Sequence, residues 1–265
     1  MSDVAVDQLA VYAESLWIGF LIRYHRAEVT LRETFVRLLD RLRPGDARNG
    51  RWSQKFWALS DINLAVDHGD VVGIVGRNGS GKTTLLRALA GILGPDRGRV
   101  IVRGKVGCLL SFGVGFKPDL TGRENIFING SILGFAQREI QARLQDIIEF
   151  SELGEFIDAP VRAYSTGMKG RLGFSIAVHI NPDVLLLDEV LTVGDAGFRA
   201  KAGSILDRFR NEGKTVIIAT HSMDLVRTKC TRAIWLDAGR LRLQGTPDDV
   251  TKAYLASTKG GSADG

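Results

Sequence analysis

The feature that most constrains this chain is a glycine-rich stretch at residues 76–83, which reads Gly-x-x-x-x-Gly-Lys-Thr. An apolar run at residues 71–75 precedes it and predicts a buried strand, and residues 84–90 have helical composition. This order lets backbone N–H groups curl around phosphate oxygens at the positive end of a helix dipole. An ordinary glycine turn would not explain the Lys-Thr pair together with both flanks. The residues predicted to bind the phosphates of a nucleotide are Gly76, Asn78, Gly79, Ser80, Gly81, Lys82, Thr83 and Thr84.

Two of these side chains have distinct predicted roles. The Lys82 ammonium can reach the β- and γ-phosphates, and the Thr83 hydroxyl can ligate magnesium. The sequence therefore predicts ATP and Mg²⁺ as the ligands of this loop.

Length and composition limit the class of protein. A chain of 265 residues with 45% hydrophobic content can form one large α/β domain or two small lobes. Cys108 and Cys230 lie far apart without metal-ligand spacing, which indicates free thiols in a reducing cytosol. The polar, acidic N-terminus predicts no secretory signal, and the apolar run at residues 16–22 is too short to span a bilayer. We therefore expect that this polypeptide does not cross a membrane by itself.

The N-terminal fifth is strongly basic within a net charge of +5. Contact with anionic lipid head groups or an acidic partner is one interpretation, nucleic acid is a second, and a solvated surface segment is a third. The charge pattern alone does not choose among them. The arginines concerned are Arg23, Arg26, Arg32, Arg37, Arg41, Arg43, Arg48 and Arg51.

Hydrophobic periodicity predicts the remaining elements. The expected strands are at residues 59–66, 184–189 and 215–220, with hairpins at 100–110 and 233–243. The expected helices are at residues 29–42 and 137–150, at a capping box formed by Thr121 and Glu124, and at a short C-terminal segment from 246. Continuous apolar strands alternating with helices favour a parallel sheet covered on both faces.

Two apolar strands are followed at once by polar side chains. Asp188 and Glu189 end one strand, and His221 comes one residue after the other. The carboxyl end of a parallel strand is where ligands bind in such sheets. Asp188 can hold magnesium, Glu189 can deprotonate a water that attacks the γ-phosphate, and His221 can contact that phosphate. Each feature has a purely structural alternative, and the phosphate loop upstream makes that alternative the weaker one.

At this point the motifs carry a family resemblance. Residues 164–168 read Tyr-Ser-Thr-Gly-Met and resemble the Leu-Ser-Gly-Gly-Gln signature loop of ABC transporter ATPases. Ser165 and Gly167 agree with that pattern, whereas Tyr164, Thr166 and Met168 depart from it. The order of the motifs also agrees, from the phosphate loop through the signature to Asp188, Glu189 and His221.

The resemblance implies the fold and its boundaries. It implies an α/β, P-loop nucleotide-binding domain of ABC type, with a mostly parallel core sheet, an antiparallel β subdomain and a helical subdomain at about 112–180. We expect a basic N-terminal strand or helix extension at 1–55, the ATPase domain at 56–257 and a disordered tail at 258–265. Ser165 and Gly167 are the positions that the resemblance places on the γ-phosphate.

A narrower resemblance concerns residues 56–59, 113–125 and 164–168 together. They look like the ATPase subunits that export lipid-linked O-antigen, teichoic acid, capsule or cell-wall galactan from bacteria. The residues themselves predict only an ATP hydrolase of cassette type, so the polymer comes from this resemblance alone.

Two positions depart from the common family pattern. A glutamine usually follows the strand at 106–110, where it touches magnesium and the membrane partner, and here Ser111 is the nearest polar residue. A serine would need a bridging water to cover the same distance. The aromatic residue expected to stack on adenine is Phe20, with Tyr24 as the second choice; core packing is the alternative for both.

The resemblance also implies the assembly. We expect a homodimer in which each nucleotide lies between the phosphate loop of one copy and Ser165 and Gly167 of the other. Closure of the pair would act through the loop at 111–125 on separate membrane permease subunits. The expected location is the cytoplasmic face of the inner membrane, the expected cargo is a lipid-linked polysaccharide, and no nucleic acid is expected. Two alternatives remain, namely a soluble cassette ATPase acting on nucleic acid or ribosomes and a regulatory module without turnover.

Overall fold

The structure is a computed structural model that describes residues 7–23, 53–110, 115–189 and 196–260. Its strands in those ranges are β1 (Leu9–Arg23), β2 (Ser53–Asp67), β3 (Val71–Val75), β4 (Arg97–Val102), β5 (Val106–Leu109), β6 (Val184–Asp188), β7 (Thr215–Ala219), β8 (Arg232–Asp237) and β9 (Arg240–Gly245). Its helices there are α1 (Lys82–Leu89), α2 (Gly122–Ile132), α3 (Gln137–Ser151), α4 (Thr166–His179), α5 (Ala196–Asn211), α6 (Met223–Lys229) and α7 (Pro247–Gly260).

Six strands form the core sheet in the order β5-β6-β7-β3-β8-β9. The first five run parallel, and β9 pairs antiparallel with β8 as an edge strand. β3, β6 and β7 are buried along nearly their whole length, as expected for strands covered on both faces. This confirms the mostly parallel sheet, and it brings the carboxyl ends of β3, β6 and β7 to one edge.

A second, antiparallel sheet has the order β2-β1-β4. The half-buried strand predicted at residues 59–66 is the C-terminal part of β2. β1 lies within the range assigned to an N-terminal extension, yet it is the central strand of this sheet. β1 therefore belongs to the same domain as β2 and β4, with which it pairs.

The hairpin predicted at residues 100–110 is wrong. β4 pairs antiparallel with β1, whereas β5 pairs parallel with β6 in the other sheet. The connection between them is held from both sides, since the Arg103 N–H donates to the Ala10 carbonyl and the Lys105 N–H donates to the Asp183 carboxylate. Two apolar runs on either side of a glycine turn give the same sequence pattern whether the two strands pair with each other or belong to two different sheets.

The core is built in layers around α1. Leu85, Leu86 and Leu89 of this helix are buried between the antiparallel sheet and one face of the core sheet. On the other face, α4, α5 and α7 contribute Phe174, Phe209 and Val250 to a second core cluster. Both faces of the core sheet are thus covered by buried side chains. Full burial of such a leucine or phenylalanine contributes about 1.5–3 kcal/mol to the stability of the fold.

The segment between β5 and β6 is mostly helical, as predicted, and has its own core cluster with Ile126, Ile140 and Leu172 at its centre. Both predicted helices are present: α2 begins at the Thr121 and Glu124 capping box, and α3 covers the amphipathic stretch at residues 137–150.

The loop before α2 is organised by a single buried amide. Asn125 accepts a hydrogen bond from the Lys117 N–H at 2.7 Å and donates to the Lys117, Leu120 and Thr121 carbonyls at 3.0, 3.2 and 2.8 Å. Its side chain is fully buried, so these bonds are shielded from water.

The C-terminal helix is longer than predicted. α7 continues to Gly260, three residues into the range expected to be disordered, and residues 261–265 lie outside the described part. The reason is packing of its middle turns, where Tyr254 meets Trp235 edge-to-face at 5.9 Å between ring centroids.

Some expectations fall on residues that the structure does not describe. These are the helix at 29–42, most of the arginine cluster, Tyr24 and Ser111. Among the described residues, no helix is both long and apolar enough to cross a bilayer. Both cysteines are free thiols, and burial raises the pKa of the Cys230 thiol to about 12.

Candidate functional site

The phosphate loop joins β3 to α1 at the carboxyl edge of the core sheet. Gly79 and Gly81 have φ angles of 77° and 104°, a region that glycine enters at little cost. A Cβ on Gly81 would lie 2.8 Å from the Ala58 carbonyl oxygen, so β2 presses directly on the loop. The loop is thus folded back on itself, with the α1 N-terminus directed at the space in front of it.

Lys82 is nearly buried at the first position of α1. Its ammonium donates to the Gly76 and Arg77 carbonyls at 2.9 and 3.2 Å. Desolvation lowers the pKa of this ammonium, and the charges of Glu189 and Asp188 oppose that shift. A cation held here, with carboxylates nearby, is suited to a strongly anionic ligand such as a polyphosphate.

Thr83 and Asp188 meet across the gap between α1 and β6. The Thr83 hydroxyl donates to the Asp188 carboxylate with an oxygen–oxygen distance of 2.6 Å. Burial raises the pKa of the Asp188 carboxyl, and the hydrogen bond from Thr83 opposes that rise. Hydroxyl and carboxylate oxygens are ligands that Mg²⁺ prefers.

These two oxygens do not form a complete cage. No cluster of three or more His, Cys, Asp or Glu side chains within the described ranges is placed to hold a metal ion. Mg²⁺ typically binds through one or two protein oxygens, with waters and substrate phosphates completing the octahedron. The donor set therefore fits a magnesium ion that arrives with a phosphate ligand.

Glu189 and His221 come together from neighbouring parallel strands. Their side chains approach to 2.9 Å between the Glu189 Oε1 and the His221 Nε2, and both are about half exposed. Glu189 has a φ angle of 53°, which is strained for a residue with a side chain, and its N–H donates to the Ala219 carbonyl. The strained backbone turns this carboxylate away from the direction of β6 and towards the end of β7.

One opening of about 400 Å³ collects most of the predicted nucleotide-binding residues. Phe20 faces it, as does Phe56, which was not predicted as a site residue. The two phenylalanines are directly opposite each other in β1 and β2 and are 42% and 52% exposed, unusually open for aromatic side chains. The described residues that line the opening are Phe20, Phe56, Ala58, Asn78, Gly79, Gly81, Lys82, Thr83, Thr84 and Glu189.

The predicted signature residues lie apart from this opening. Ser165 is the N-cap of α4, where its hydroxyl accepts the Met168 N–H at 3.2 Å, and Gly167 follows in the first turn. Among the described residues that line the opening, none comes from this stretch. Ser165 is exposed, so within one chain it is presented to the outside rather than to the phosphate loop.

A second opening of about 870 Å³ is lined by residues of the phosphate loop, by His221 and by the C-terminal elements. Arg77, Asn78 and His221 line it together with Arg242, Trp235 and Tyr254. Asn78 lines both openings, so the phosphate loop is accessible from both sides.

The chain is similar to several known proteins. The family model described as ABC transporter matches residues 59–192. The chain is 48% identical over 207 residues to the O-antigen export system ATP-binding protein RfbB of Myxococcus xanthus, covering 78% of this chain and 47% of that protein. It is 44% identical to RfbB of Klebsiella pneumoniae, covering 76% of this chain and 82% of that protein.

A third relative is the teichoic acids export ATP-binding protein TagH of Lactococcus lactis, which is 42% identical and covers 78% of this chain and 44% of that protein. The chain therefore spans about half the length of the M. xanthus and L. lactis proteins. A solved dimeric ATP-binding cassette bound to ADP and phosphate superposes with a TM-score of 0.68 at 22% identity, over 89% of this chain and 98% of that one. This structural likeness shows the fold.

The resemblance drawn from the motifs is confirmed, both in the cassette fold and in relatives that carry polysaccharide-export names. The order from phosphate loop through signature to Asp188, Glu189 and His221 was sufficient to identify it. The chain belongs to the ABC transporter family.

Proposed function

We propose that this chain is the ATP-hydrolysing subunit of an ABC transporter that exports a lipid-linked polysaccharide across the bacterial inner membrane. The observation that carries the proposal is the convergence of Lys82, the Thr83–Asp188 pair and the Glu189–His221 pair at the carboxyl edge of β3, β6 and β7. A cation, a magnesium-type donor pair and a carboxylate base around one opening are what phosphoryl transfer to water requires.

Nucleotide binding is assigned to both ends of the first opening. The phosphate loop holds the phosphates through its backbone N–H groups. The Lys82 ammonium donates to the Gly76 and Arg77 carbonyls and has a third N–H with which to bind a phosphate. Phe20 and Phe56 provide apolar faces on which the adenine stacks. Thr83 and Asp188 are the residues that would hold Mg²⁺, which would neutralise phosphate charge when bound. Ser111, outside the described residues, is proposed as a water-mediated ligand.

Hydrolysis is assigned to Glu189 and His221. The Glu189 carboxylate accepts a proton from the attacking water, and its strained backbone holds it at the edge of the site. The His221 imidazole, in hydrogen-bond contact with that carboxylate, fixes its direction and lies beside the position of the γ-phosphate. Loss of the carboxylate therefore removes the base and leaves the binding groups in place.

The exposed signature residues are assigned to a second copy of the chain. Ser165 is exposed and Gly167 is partly exposed on the helical part, and Asn78 and His221 line the second opening. In a homodimer, Ser165 and Gly167 of each copy contact the γ-phosphate held by the other, so ATP binding draws the copies together and hydrolysis releases them. Separate permease subunits in the membrane receive this motion through the loop before α2.

The polymer is assigned from the relatives. Proteins named for O-antigen and teichoic acid export match about three quarters of this chain at 42–48% identity. Their names support export over an action on nucleic acid or ribosomes. The subunit would lie at the cytoplasmic face of the inner membrane, held there by its permease.

The test of this proposal combines two measurements. The purified chain should release phosphate from ATP only when Mg²⁺ is added, and affinity purification from the native bacterium should recover a polytopic membrane protein. Replacing the chromosomal copy with Glu189→Gln should leave lipid-linked polysaccharide inside the cell, whereas Glu212→Gln, an exposed acidic residue outside both openings, should not.

Recovery of ribosomes or nucleic acid instead of a membrane protein would refute the export assignment. Normal surface polysaccharide in the Glu189→Gln strain, with the protein present at wild-type level, would refute it as well.

A further inference from the structure

The turn between β8 and β9 touches the phosphate loop and β2 through one residue. The Gly239 N–H donates to the Ser80 carbonyl at 3.0 Å, and the Gly239 carbonyl accepts the Ser60 N–H at 2.8 Å. Ser80 lies in the phosphate loop, and Ser60 lies in β2, four residues after Phe56. Gly239 thus bridges the two elements that would hold opposite ends of a nucleotide.

Ser80 makes few other hydrogen bonds among the described residues. Its hydroxyl is buried and has no hydrogen-bond partner within the described part of the chain. Its backbone N–H donates to the Arg77 carbonyl, which belongs to the same loop. The bond from Gly239 is therefore the backbone hydrogen bond that ties this residue to an element outside the loop.

The contact is too close for any other residue at position 239. Gly239 has a φ angle of 74°, and a Cβ there would lie 2.6 Å from the Ala58 carbonyl oxygen and 3.0 Å from its carbon. Gly81 approaches the same Ala58 oxygen from the phosphate loop, and Gly76 lies against the Leu236 carbonyl at the end of β8. Backbone meets backbone at all three points, so none can yield by a change of side-chain rotamer.

Side-chain contacts in β8 and β9 also stabilise the turn. Asp237 pairs with Arg242 at 3.2 Å across the hairpin, and Trp235 on β8 packs against Tyr254 of α7. The C-terminal hairpin is therefore a fixed support rather than a loop that follows the phosphate loop.

We propose that the β8–β9 turn is a positioning element, with Gly239 as the positioning residue that sets the distance between the phosphate loop and the strand carrying Phe56. The inference rests on the nucleotide-binding role proposed above. A displaced turn moves β2 relative to the phosphate loop, so a ligand that must reach both loses affinity. A ligand that occupies only the phosphate loop keeps its affinity.

The experiment compares Mg²⁺-ATP with Mg²⁺-tripolyphosphate, which lacks the base, by calorimetric titration of the full chain. Gly239→Ala should raise the dissociation constant of ATP about tenfold and change that of tripolyphosphate by less than about threefold. Gly213→Ala is the matched control for backbone strain, because Gly213 has a φ of 69° with nothing within 4 Å of a Cβ. It should leave both constants unchanged while lowering the melting temperature.

Gly239→Asn is the second variant in case the alanine protein does not fold. Asparagine tolerates a positive φ better than alanine but still carries the Cβ that meets Ala58. It should show the same selective loss of ATP.

Equal loss of both ligands, or no loss of either, would overturn the positioning role. If the wild-type chain binds neither ligand, the proposed nucleotide function itself is refuted, and this result is distinct because it appears before any substitution is made.

Discussion

Replacing Glu189 with glutamine should separate nucleotide binding from hydrolysis in the proposed site. Glutamine keeps the shape of the side chain and an oxygen that can accept from His221, but it cannot take a proton from water. The pair joins two side chains that are 46% and 43% exposed. Exposed ion pairs contribute about 0–1 kcal/mol to stability, so the melting temperature should barely change.

The effect on turnover should be far larger. General-base catalysis contributes about 10²–10⁴-fold to rate, which corresponds to about 3–5 kcal/mol of barrier. The hydrogen bonds that Lys82 and Asp188 make do not use the Glu189 side chain, so the dissociation constant of ATP should stay within about threefold of wild type. The protein should therefore collect in its ATP-bound form.

The assay is steady-state phosphate release with saturating Mg²⁺-ATP, together with ATP titration of the same preparation. Glu212→Gln, which removes an exposed carboxylate outside the two openings, is the control and should match wild type. Phosphate release by Glu189→Gln within about threefold of wild type would refute the assignment of Glu189 as the base.

Four other outcomes are expected. Lys82→Ala should weaken ATP binding about 10–100-fold, because a charged donor to the phosphates is lost, and unchanged affinity in a titration would contradict the role of the loop. Ser165→Arg should leave ATP binding by the single chain intact and abolish the ATP-dependent pairing of the Glu189→Gln protein, measured by sedimentation; pairing that persists would remove Ser165 from the shared site. Phe20→Ala and Phe56→Ala should each weaken ATP binding by about 1–3 kcal/mol. Leu21→Ala is the control, since Leu21 is the next residue in β1 and is 65% exposed, and it should change ATP affinity little. Equal effects of all three substitutions would argue against stacking. Burial raises the pKa of the Cys230 thiol to about 12, so a thiol reagent should label Cys230 slowly at neutral pH. The labelling rate should rise with pH up to that value. Fast labelling of Cys230 in the native protein at neutral pH would contradict its burial.

The convergence of Asp188, Glu189 and His221 at one edge of the core sheet could be predicted because these residues belong to short, local patterns. The glycine loop predicts the strand before it and the helix after it. Asp188, Glu189 and His221 follow short apolar runs that are typical of buried strands. In a parallel sheet, all such ends meet at one edge, so their convergence follows from the topology.

The features that were missed depend on pairings between distant segments. Phe56 faces the opening of about 400 Å³ because β2 pairs with β1, and these two strands are separated in the sequence by residues 24–52. The division of β4 and β5 between two sheets likewise depends on their pairing with β1 and β6, which are remote from them in sequence. Gly239 belongs to no motif, because its contacts with Ala58 and Ser80 join segments that are distant in the sequence.

Asn125 ties the loop before α2 to the helix that follows it. Through one amide, four hydrogen bonds to Lys117, Leu120 and Thr121 hold the described part of this loop to the first turn of α2. We expect a displacement of the loop to carry the start of the helix with it, because separating the two would leave a buried amide unpaired. The stretch should then act as a rod rather than as a hinge.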